Sequence, residues 1–349
     1  MPKVNLLGYT KPQLEALMTS LGQKPYKGRQ MFNWLYKVRQ HDFQLMTDLS
    51  KEVRARLDEH YTFRLMQPEL ESVSEDGTRK FLFRLEDGHP IETVFIPDDG
   101  RATVCISVQA GCALACRFCA TGTLGLLRDL TPGEIVGQLM FLRERFGGEA
   151  FTNIVMMGMG EPLNNFAAVV DAIRIMTDPS GLCHAARRIT ISTSGVSPKI
   201  RKLADLGLKT RLAVSLHAAI QEKRVQLMPV AETFKLDKLM EAVRYYALAA
   251  RDRVTFEYIL FKGFNDTPED VKALTRLVHG IPCKINLLAY NPVPGLPFAR
   301  PTDEEVDAFA RLLYPRVPAV TVRKSRGRDI DAACGQLAAR AAARRTDHA

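Results

Sequence analysis

The residues best suited to chemistry are three cysteines in the stretch GCALACRFCATG at positions 111–122. Cys112, Cys116 and Cys119 have the spacing C-x3-C-x2-C in a chain with only seven cysteines among 349 residues. Three thiolates on one loop can hold three corners of a 4Fe-4S cube and leave one iron without a protein ligand. A structural zinc ion normally takes four protein ligands, and the sequence has no second C-x2-C pair. The spacing therefore favours an iron–sulfur cluster over zinc.

The composition indicates a globular chain that works in a reducing compartment. Hydrophobic residues make up 46% of the sequence, which suits two or three domains, or one large α/β domain with an appendage. The N-terminal stretch MPKVNLLGYTKPQ lacks the pattern of a signal peptide, and no run approaches the roughly 18 apolar residues of a membrane span. We therefore expect a cytoplasmic protein that does not bind membranes. The odd cysteine count favours metal or redox chemistry over a disulfide scaffold.

Positive charge is concentrated towards the C-terminus. The net charge is +9, and from Arg316 to Ala349 eight Arg or Lys stand against three Asp. Part of this excess lies in an Ala/Arg-rich tail after Leu337. Such a segment is either a solvated basic helix or a contact surface for phosphate backbones, and charge alone favours neither.

The first 68 residues have the periodicity of helices. QLEALMTSLG follows Pro12, RQMFNWLYKV follows Gly28, and DLSKEVRARLDEHY forms a third amphipathic stretch. The segment KPYKGRQMFNWLYK mixes cations with aromatic rings, a combination that suits RNA because bases stack on rings and cations meet phosphates. An ordinary helix whose aromatic residues lie in a small core also explains it, and for this stretch alone we favour that explanation.

From about residue 70 to 110 the pattern changes to that of strands. Asp76-Gly77 and Asp87-Gly88 are hairpin turn signals. KFLFRLE, PIETVFIP and ATVCISV have the composition of strands. We therefore predict a short β extension here.

After residue 111 strands alternate with helices. Thr131-Pro132-Gly133-Glu134 has the cap, first-turn proline and third-position glutamate of a helix start, and further helices are expected near 166–177, 197–206, 235–250 and 267–279. With the strand just before the cysteine loop, six strands are expected: TVCISVQ, NIVMMGM, RITISTSG, RLAVSLH, VTFEYIL and KINLLAY. Short Val/Ile/Leu-rich strands between helices predict parallel βαβ units, as a partial barrel or an open doubly wound sheet.

The cysteine loop at the start of this series resembles that of the radical S-adenosylmethionine (SAM) enzymes. Phe118, just before the third cysteine, fits the aromatic residue usual there. The resemblance implies that the amine and carboxylate of SAM bind the open iron. It also implies that one electron from the cluster breaks the sulfonium bond and yields a 5′-deoxyadenosyl radical. The loop says nothing about the substrate.

Five further stretches are similar to those of one family in that superfamily, the RNA adenine methyltransferases RlmN. They are MMGMGEPL (156–163), TISTSG (190–195), AVSLHA (213–218), CKINLLAYNP (283–292) and RGRDIDAACGQLA (326–338). The resemblance covers nearly the whole chain. It implies methylation of carbon 2 of adenosine in 23S rRNA, at the peptidyl transferase centre, and in tRNA, 3′ of the anticodon.

The fold expected from the pattern and the resemblance together is α/β with three regions. A helical accessory RNA-binding domain occupies 1–68, and the β extension occupies 69–100. A partial (β/α)6 radical SAM barrel, with a C-terminal segment that carries a catalytic cysteine, occupies 101–349.

The resemblance also implies which residues bind the cofactors. Cys112, Cys116 and Cys119 match the ligands of a 4Fe-4S cluster. The matching SAM contacts lie at or just past the ends of predicted strands, where barrels hold ligands: Gly160, Glu161, Ser192, Ser215, Leu216, His217 and Asn291. A glycine in the GEP loop lets the backbone approach the cofactor closely, and the adjacent glutamate can accept a hydrogen bond from the SAM amine.

Three more matches carry the implied mechanism, which uses two SAM molecules per turnover. Cys334 matches the cysteine that accepts a methyl group from the first SAM, and that methyl then loses hydrogen to the radical. The resulting methylene adds to the electrophilic carbon 2 of adenine. Glu92 matches the general base that removes the carbon-2 proton. Cys105 matches the thiol that attacks Cys334, forming a disulfide and releasing the methylated base.

Plainer explanations exist for these residues when the local sequence is taken alone. An isolated Cys334 is more often a small buried hydrophobe, and Cys105 lies in a strand where inward packing is usual. Glu92 would ordinarily be a solvated strand carboxylate. The other matches could be a turn glycine, a satisfied core histidine and serines bonded to backbone. Cys183 and Cys283 match no functional position, and we expect them to be structural.

A basic stretch just before Cys334 gives the best local indication of a nucleic-acid substrate. Arg323, Lys324, Arg326 and Arg328 would draw an RNA strand towards the reactive thiol. The target base would have to leave its stack to reach a buried cluster. Besides rRNA and tRNA, we expect an electron donor such as flavodoxin as a partner, and a monomer.

Two alternatives remain open from the sequence. A Cfr-type enzyme, which methylates carbon 8 of adenine in rRNA, shares the cluster, both extra cysteines and the methylene chemistry. A non-catalytic, zinc-containing RNA-binding protein would have no use for Cys334.

Overall fold

The computed structural model describes residues 3–337, so the Ala/Arg-rich tail lies outside the described residues. The strands are β1 (Val4–Asn5), β2 (Tyr61–Thr62), β3 (Pro68–Val73), β4 (Arg79–Arg84), β5 (Pro90–Asp98), β6 (Arg101–Cys105), β7 (Gln109–Gly111), β8 (Leu126–Asp129), β9 (Asn153–Met156), β10 (Ile189–Thr193), β11 (Arg211–Ser215), β12 (Val254–Leu260), β13 (Cys283–Ala289) and β14 (Val320–Val322). The α-helices are α1 (Lys11–Ser20), α2 (Tyr26–Asn33), α3 (Lys51–His60), α4 (Ala120–Thr123), α5 (Pro132–Phe146), α6 (Phe166–Thr177), α7 (Ser197–Asp205), α8 (Gln221–Leu227), α9 (Val230–Thr233), α10 (Leu236–Ala250), α11 (Pro268–Val278) and α12 (Asp303–Leu313). No helix among the described residues is long and apolar enough to cross a membrane.

One compact unit is mainly helical. It contains the chain up to Gln67 together with Leu130–Ala150 and Phe166–Ala186, and therefore includes α1, α2, α3, α5 and α6. The three helices expected in the first 68 residues are all present. Gly28, however, lies inside α2 rather than before it. Here α1 and α2 pack so closely that a Cβ on this glycine would stand 2.4 Å from Glu15 Cα.

The aromatic residues of α2 and the π-helical turn that follows it are divided between core and surface. Phe32 and Tyr36 are each 1% exposed. The Tyr36 hydroxyl accepts from Gly8 N (2.8 Å) and donates to Tyr9 O (3.0 Å). Tyr26 is 42% exposed. The small-core explanation therefore holds for Phe32 and Tyr36, while the Tyr26 ring remains available at the surface.

The other unit, which contains Pro68–Asp129, Phe151–Asn165 and the chain from Arg187 onward, is built on a ten-stranded sheet. The strand order is β14-β13-β12-β11-β10-β9-β6-β5-β4-β3. The six expected strands are β6 and β9–β13, and they pair in parallel. Their order follows the sequence without the reversal of a doubly wound sheet. The sheet is also open, since it ends at β14 and β3. The partial barrel is therefore confirmed, with β14 as a seventh parallel strand that the sequence analysis missed.

The β extension continues the barrel sheet. The two predicted hairpins are confirmed, because β3 pairs antiparallel with β4 and β4 with β5 around Asp76-Gly77 and Asp87-Gly88. Strand β5 then pairs antiparallel with β6, the first barrel strand. Residues on β5 are thereby held in fixed register beside the barrel.

The strand before the cysteine loop is shorter than predicted. It ends at Cys105 rather than at Gln109, because the backbone of 106–109 turns towards the loop after β9. There Val108 N and Gln109 N both donate to Met159 O, at 2.9 and 3.2 Å. Residues 109–111 then form β7, which pairs with β8 in a separate two-stranded sheet. The cysteine loop consequently follows β7 and not the first barrel strand.

Candidate active site

The cysteine loop is folded by backbone hydrogen bonds so that its three thiols face one cavity. Cys112 N donates to Gly125 O (2.8 Å) and Cys119 N donates to Cys116 O (3.1 Å). Position 122 requires glycine, because a Cβ there would stand 2.9 Å from Cys116 O. Cys112, Cys116 and Cys119 all line this cavity, which we call the cofactor cavity.

The electrostatics of the three thiols suit a cationic core. Burial raises the pKa of all three, to about 11 for Cys112, and the neighbouring sulfurs raise the pKa of Cys112 and Cys116 further. Thiolates so buried and so close need positive charge to stabilise them. Three cysteine thiols on one loop, all lining one cavity, are the donor set that a 4Fe-4S cluster takes from a protein. The loop therefore fits such a cluster.

The GEP loop after β9 brings a buried carboxylate to the same cavity. Glu161 is 3% exposed, and its carboxylate accepts from Leu163 N (3.0 Å) and Ser194 N (2.8 Å). Burial raises the pKa of Glu161, while these N–H groups act in the opposite direction. At Gly160 φ is +100°, and a Cβ would stand 2.5 Å from Gln109 Cβ. Gly160 and Glu161 both line the cofactor cavity. A bound ammonium there would offset the buried charge of Glu161.

The ends of β10 and β11 supply the next wall. Ser192, Ser215 and His217 line the cofactor cavity. His217 Nδ1 accepts from Ile259 N at 3.1 Å. Burial lowers the pKa of His217 to about 3, and the charge of Arg224 acts in the same direction. The imidazole is therefore neutral at physiological pH, with its proton on Nε2 as a hydrogen-bond donor.

Two of the described residues that were expected to contact SAM lie outside this lining. Leu216 has no exposed surface, and its N–H donates to Glu257 O at 3.0 Å. Asn291 donates through Nδ2 to Cys334 O (3.3 Å) and accepts from Arg300 at Oδ1 (3.1 Å). Leu216 thus shapes the strand end, and Asn291 holds the backbone at Cys334.

Cys334 lies on a segment, residues 327–337, that is tied down along its whole length. Near its start, Gly327 N donates to Asp76 in the β3–β4 turn (3.0 Å). Near its end, Ala120 N donates to Gly335 O (2.7 Å) and Gln336 donates to Pro292 O (3.0 Å). We call these residues the Cys334 segment. Its anchors come from the β extension, the cysteine loop and the loop after β13.

Cys334 borders two cavities. It lines the cofactor cavity, and it also lines a second cavity together with Cys105 and Arg323. Both cysteines are free thiols. Burial raises the pKa of Cys105 to about 12, and the proximity of Cys334 adds to this effect while the Arg323 cation opposes it. The structure thus places the expected methyl carrier between the cofactor site and its expected disulfide partner.

Glu92 is buried and ion-paired. It lies on β5, its side chain is 3% exposed, and Oε1 is 3.0 Å from Lys80 Nζ. The expectation from local sequence alone, a solvated strand carboxylate, is therefore wrong. Although Glu92 borders neither of the two cavities among the described residues, strand register turns it towards the face of Cys105. Cys105 is directly opposite Val94, which lies two residues along β5 from Glu92.

The three comparisons with known proteins agree. Residues 4–62 match the family Ribosomal RNA large subunit methyltransferase N-terminal domain, and residues 106–278 match the Radical SAM superfamily. The chain is 46% identical to Dual-specificity RNA methyltransferase RlmN of Rhodospirillum rubrum, covering 96% of this chain and 80% of that protein. It is 45% identical to the protein of the same name from Pelobacter propionicus, covering 96% of each. The chain belongs to the RlmN family.

A solved structure supports this membership of the RlmN family. The crystal structure of a radical SAM methyltransferase from Sphaerobacter thermophilus superposes with a TM-score of 0.89 at 43% identity, covering 96% of this chain and 99% of that one. As a member of the RlmN family the chain is a radical SAM methyltransferase, so the non-catalytic zinc protein considered from the sequence is excluded. Membership also implies a 4Fe-4S cluster and SAM as cofactors.

Several residues of this RlmN-family site were not singled out as such by the sequence. Glu257 on β12 lines the cofactor cavity. Arg224 has no exposed surface and donates to Ser194 O at 2.7 Å. Arg323, expected at the RNA-facing surface, is half-buried. The pKa of Arg323 is raised, and the nearby Cys334 is the largest cause. No sequence signal distinguishes this inward-facing arginine from the exposed cations that follow it.

Proposed function

We propose that this RlmN-family enzyme methylates carbon 2 of adenosine in 23S rRNA and in tRNA, and that the methyl group travels on Cys334. The single observation that carries the proposal is the place of Cys334 between the cofactor cavity and the cavity of Cys105. The sulfur of a cysteine there can receive a carbon from the side of the cofactor cavity. A second thiol can then attack that sulfur from the other side and release the carbon. The names of the relatives, Dual-specificity RNA methyltransferase RlmN, support the choice of two RNA substrates.

The residues proposed for the cofactors follow from the cavity lining. Cys112, Cys116 and Cys119 would hold the cluster, and Gly160, Glu161, Ser192, Ser215 and His217 would contact SAM. Leu216 and Asn291 would support that site through the backbone contacts described above. When bound, the cluster and SAM supply hydrogen-atom abstraction from the methyl group of Cys334 and take back the electron that leaves the modified base. Two SAM molecules are needed per turnover, one as the methyl source and one for this abstraction.

The remaining steps fall to three residues of the chain. The carbon carried by the Cys334 sulfur forms a bond to carbon 2 of adenine, and Glu92 accepts the proton that leaves carbon 2. The Cys105 thiolate then attacks the Cys334 sulfur. The bond from that sulfur to carbon breaks, and its electron pair remains on the carbon, which takes up a proton to become the product methyl group. Two thiols are oxidised to a disulfide, which an external reductant must reduce before the next turnover.

Burial affects the step in which the Cys105 thiol acts as the nucleophile. With a pKa of about 12, Cys105 is almost entirely protonated at neutral pH. Its attack on Cys334 is therefore slow unless a cation favours the thiolate. Arg323 faces both sulfurs and is the cation placed to do this. We propose that Arg323 assists release of the product rather than recruitment of RNA.

The proposed partners are RNA and a one-electron donor. Lys324, Arg326 and Arg328 are exposed and would meet the phosphate backbone near the Cys334 segment. An acidic flavoprotein such as flavodoxin would supply the electron, and the enzyme would act as a monomer. The 1–68 region is proposed to be an accessory RNA-binding domain, and the β extension at 69–100 carries the proposed base, Glu92.

Locating the methyl group on the product tests the proposal. The protein is purified and reconstituted anaerobically, incubated with SAM, a reductant and either an rRNA fragment or tRNA, and the nucleosides are analysed by mass spectrometry. We expect methyl on carbon 2 of adenosine from both RNAs. Methyl on carbon 8 alone would show a Cfr-type activity and refute the proposal. Wild-type enzyme that modifies neither RNA while cleaving SAM would refute the choice of substrate.

A further inference from the structure

The ion pair between Lys80 on β4 and Glu92 on β5 is almost completely buried. The Nζ–Oε1 distance is 3.0 Å, and the side chains are 5% and 3% exposed. Removing both charges from water carries a desolvation cost that their attraction often does not recover, so apolar residues of similar volume would serve the fold equally well. A buried pair of this kind therefore suggests a role beyond stability.

Strand register places this pair beside the reactive cysteines. Lys80 is directly opposite Val94, and Val94 is directly opposite Cys105, so the three residues form a row across β4, β5 and β6. Residues directly opposite in antiparallel strands have their side chains on the same face of the sheet, and so do residues two apart on one strand. Lys80, Glu92 and Cys105 therefore share one face.

Lys80 also reaches the Cys334 segment. Its Nζ donates to Asp331 O at 3.2 Å, three residues before Cys334. The same ammonium thus contacts the proposed base and the segment that carries the methyl group. An ammonium can donate three hydrogen bonds, so one Lys80 can serve both contacts together.

We propose that Lys80 is a positioning residue for the proton-transfer step: its ammonium contacts both the Glu92 carboxylate and Asp331 O, and so fixes the orientation of the carboxylate relative to the Cys334 segment. This inference rests on the proposed function. A general base must lie within hydrogen-bond reach of the proton that it accepts, so the direction of the Glu92 carboxylate decides whether it can act. Lys80 itself has no lone pair while it is an ammonium, so it accepts no proton in this step and acts only through Glu92.

The experiment separates the two halves of the reaction. Lys80→Met removes the ammonium while keeping the length of the side chain, and Lys80→Arg keeps the charge. Arg84→Met is the matched control, because Arg84 lies on the same strand in an exposed ion pair with Glu69. For each reconstituted holoenzyme, peptide mass spectrometry measures the methyl on Cys334, and steady-state assays with a tRNA substrate measure kcat and KM.

We expect Lys80→Met to carry methyl on Cys334 at the wild-type level, because that loading step needs no base. Its kcat for methylated RNA should fall about 100-fold or more, the lower end of what a general base contributes, while the KM for RNA stays within about threefold. Lys80→Arg should recover at least about tenfold of the lost kcat, since it restores the cation. Arg84→Met should behave as wild type.

Two results would overturn the role of Lys80. One is an unchanged kcat in Lys80→Met, and the other is a folded Lys80→Met protein that lacks the methyl on Cys334, which would place the defect in the loading step. If Lys80→Met does not fold, Lys80→Met combined with Glu92→Gln removes both charges of the pair, and a kcat equal to that of Glu92→Gln alone supports the proposal, whereas a further tenfold loss contradicts it. A wild-type enzyme without methyl on Cys334 would instead refute the proposed function.

Discussion

The buried imidazole of His217 makes the stability of the protein depend on pH in a calculable way. The residue is 4% exposed, and Nδ1 accepts from Ile259 N at 3.1 Å. Protonation of Nδ1 would turn it into a donor that faces another donor, and it would add a charge near Arg224. Burial, and after it the charge of Arg224, lowers the pKa of His217 to about 3, whereas in the unfolded chain the pKa is about 6.5.

The sign and size of the effect follow from this difference. Below about pH 6.5 the unfolded chain takes up a proton that the folded protein does not, so the contribution to stability is present above that pH and is lost as the pH falls towards 3. Each pH unit corresponds to about 1.4 kcal/mol. Over the full interval the loss amounts to about 5 kcal/mol, and between about pH 7.5 and pH 5 it amounts to about 2 kcal/mol.

Urea unfolding of the cluster-free protein at these two pH values measures the loss, with His217→Gln as the comparison. Other titrating groups affect both proteins alike, so the difference between their losses isolates the histidine. We expect the free energy of unfolding of the wild type to fall by about 2 kcal/mol more than that of the variant between the two pH values. Equal losses would refute the neutral, backbone-bonded state of His217.

Three further predictions concern the cofactor cavity and the thiols of Cys105 and Cys334. Gly160→Ala places a Cβ 2.5 Å from Gln109 Cβ at a φ of +100°. We expect urea unfolding to show a loss of about 2 kcal/mol in stability and equilibrium dialysis to show weaker SAM binding. Normal affinity for SAM would contradict the close approach. Because burial raises the pKa of Cys105 to about 12, the thiolate fraction and hence the single-turnover rate of product release should rise about tenfold per pH unit above neutrality, and a flat profile would contradict this. Cys334→Ala should keep the visible absorption of the cluster while RNA methylation is abolished, and methylation at the wild-type rate by that variant would rule out the methylcysteine.

The barrel strands and the cysteine loop could be predicted because each depends on local sequence. An apolar run such as VTFEYIL indicates a strand that is buried on both faces, without reference to the rest of the chain. The spacing of the three cysteines likewise indicates a cluster loop by itself. By contrast, β14 has one buried residue, Val320, followed by two exposed ones, so it forms no apolar run. Strand β3, PELESV, has only intermediate or exposed residues and is held by pairing with β4 rather than by its own composition.

The environment of the site residues could not be predicted, because it is set by contacts between distant segments. Lys80 and Glu92 meet through the register of two strands, and the partner of Lys80 in the Cys334 segment is 251 positions away. Arg323 differs from the exposed Lys324 only in the direction in which the backbone turns its side chain. The run of basic residues does not indicate which side chain faces inward. That direction depends on where β14 joins the edge of the sheet.

Strand pleating makes this site sensitive to the parity of insertions. Glu92 and Cys105 share a face because their strands pair in one register, with Val94 as the residue between them. Deleting Thr93, the one residue between Glu92 and Val94, would leave a foldable hairpin but turn the carboxylate to the opposite side, whereas inserting two residues there would preserve its direction. Insertions and deletions should therefore be tolerated during evolution in the turn near Gly100, where the chain lies at the surface. Within β5 itself, insertions or deletions of an odd number of residues should be selected against.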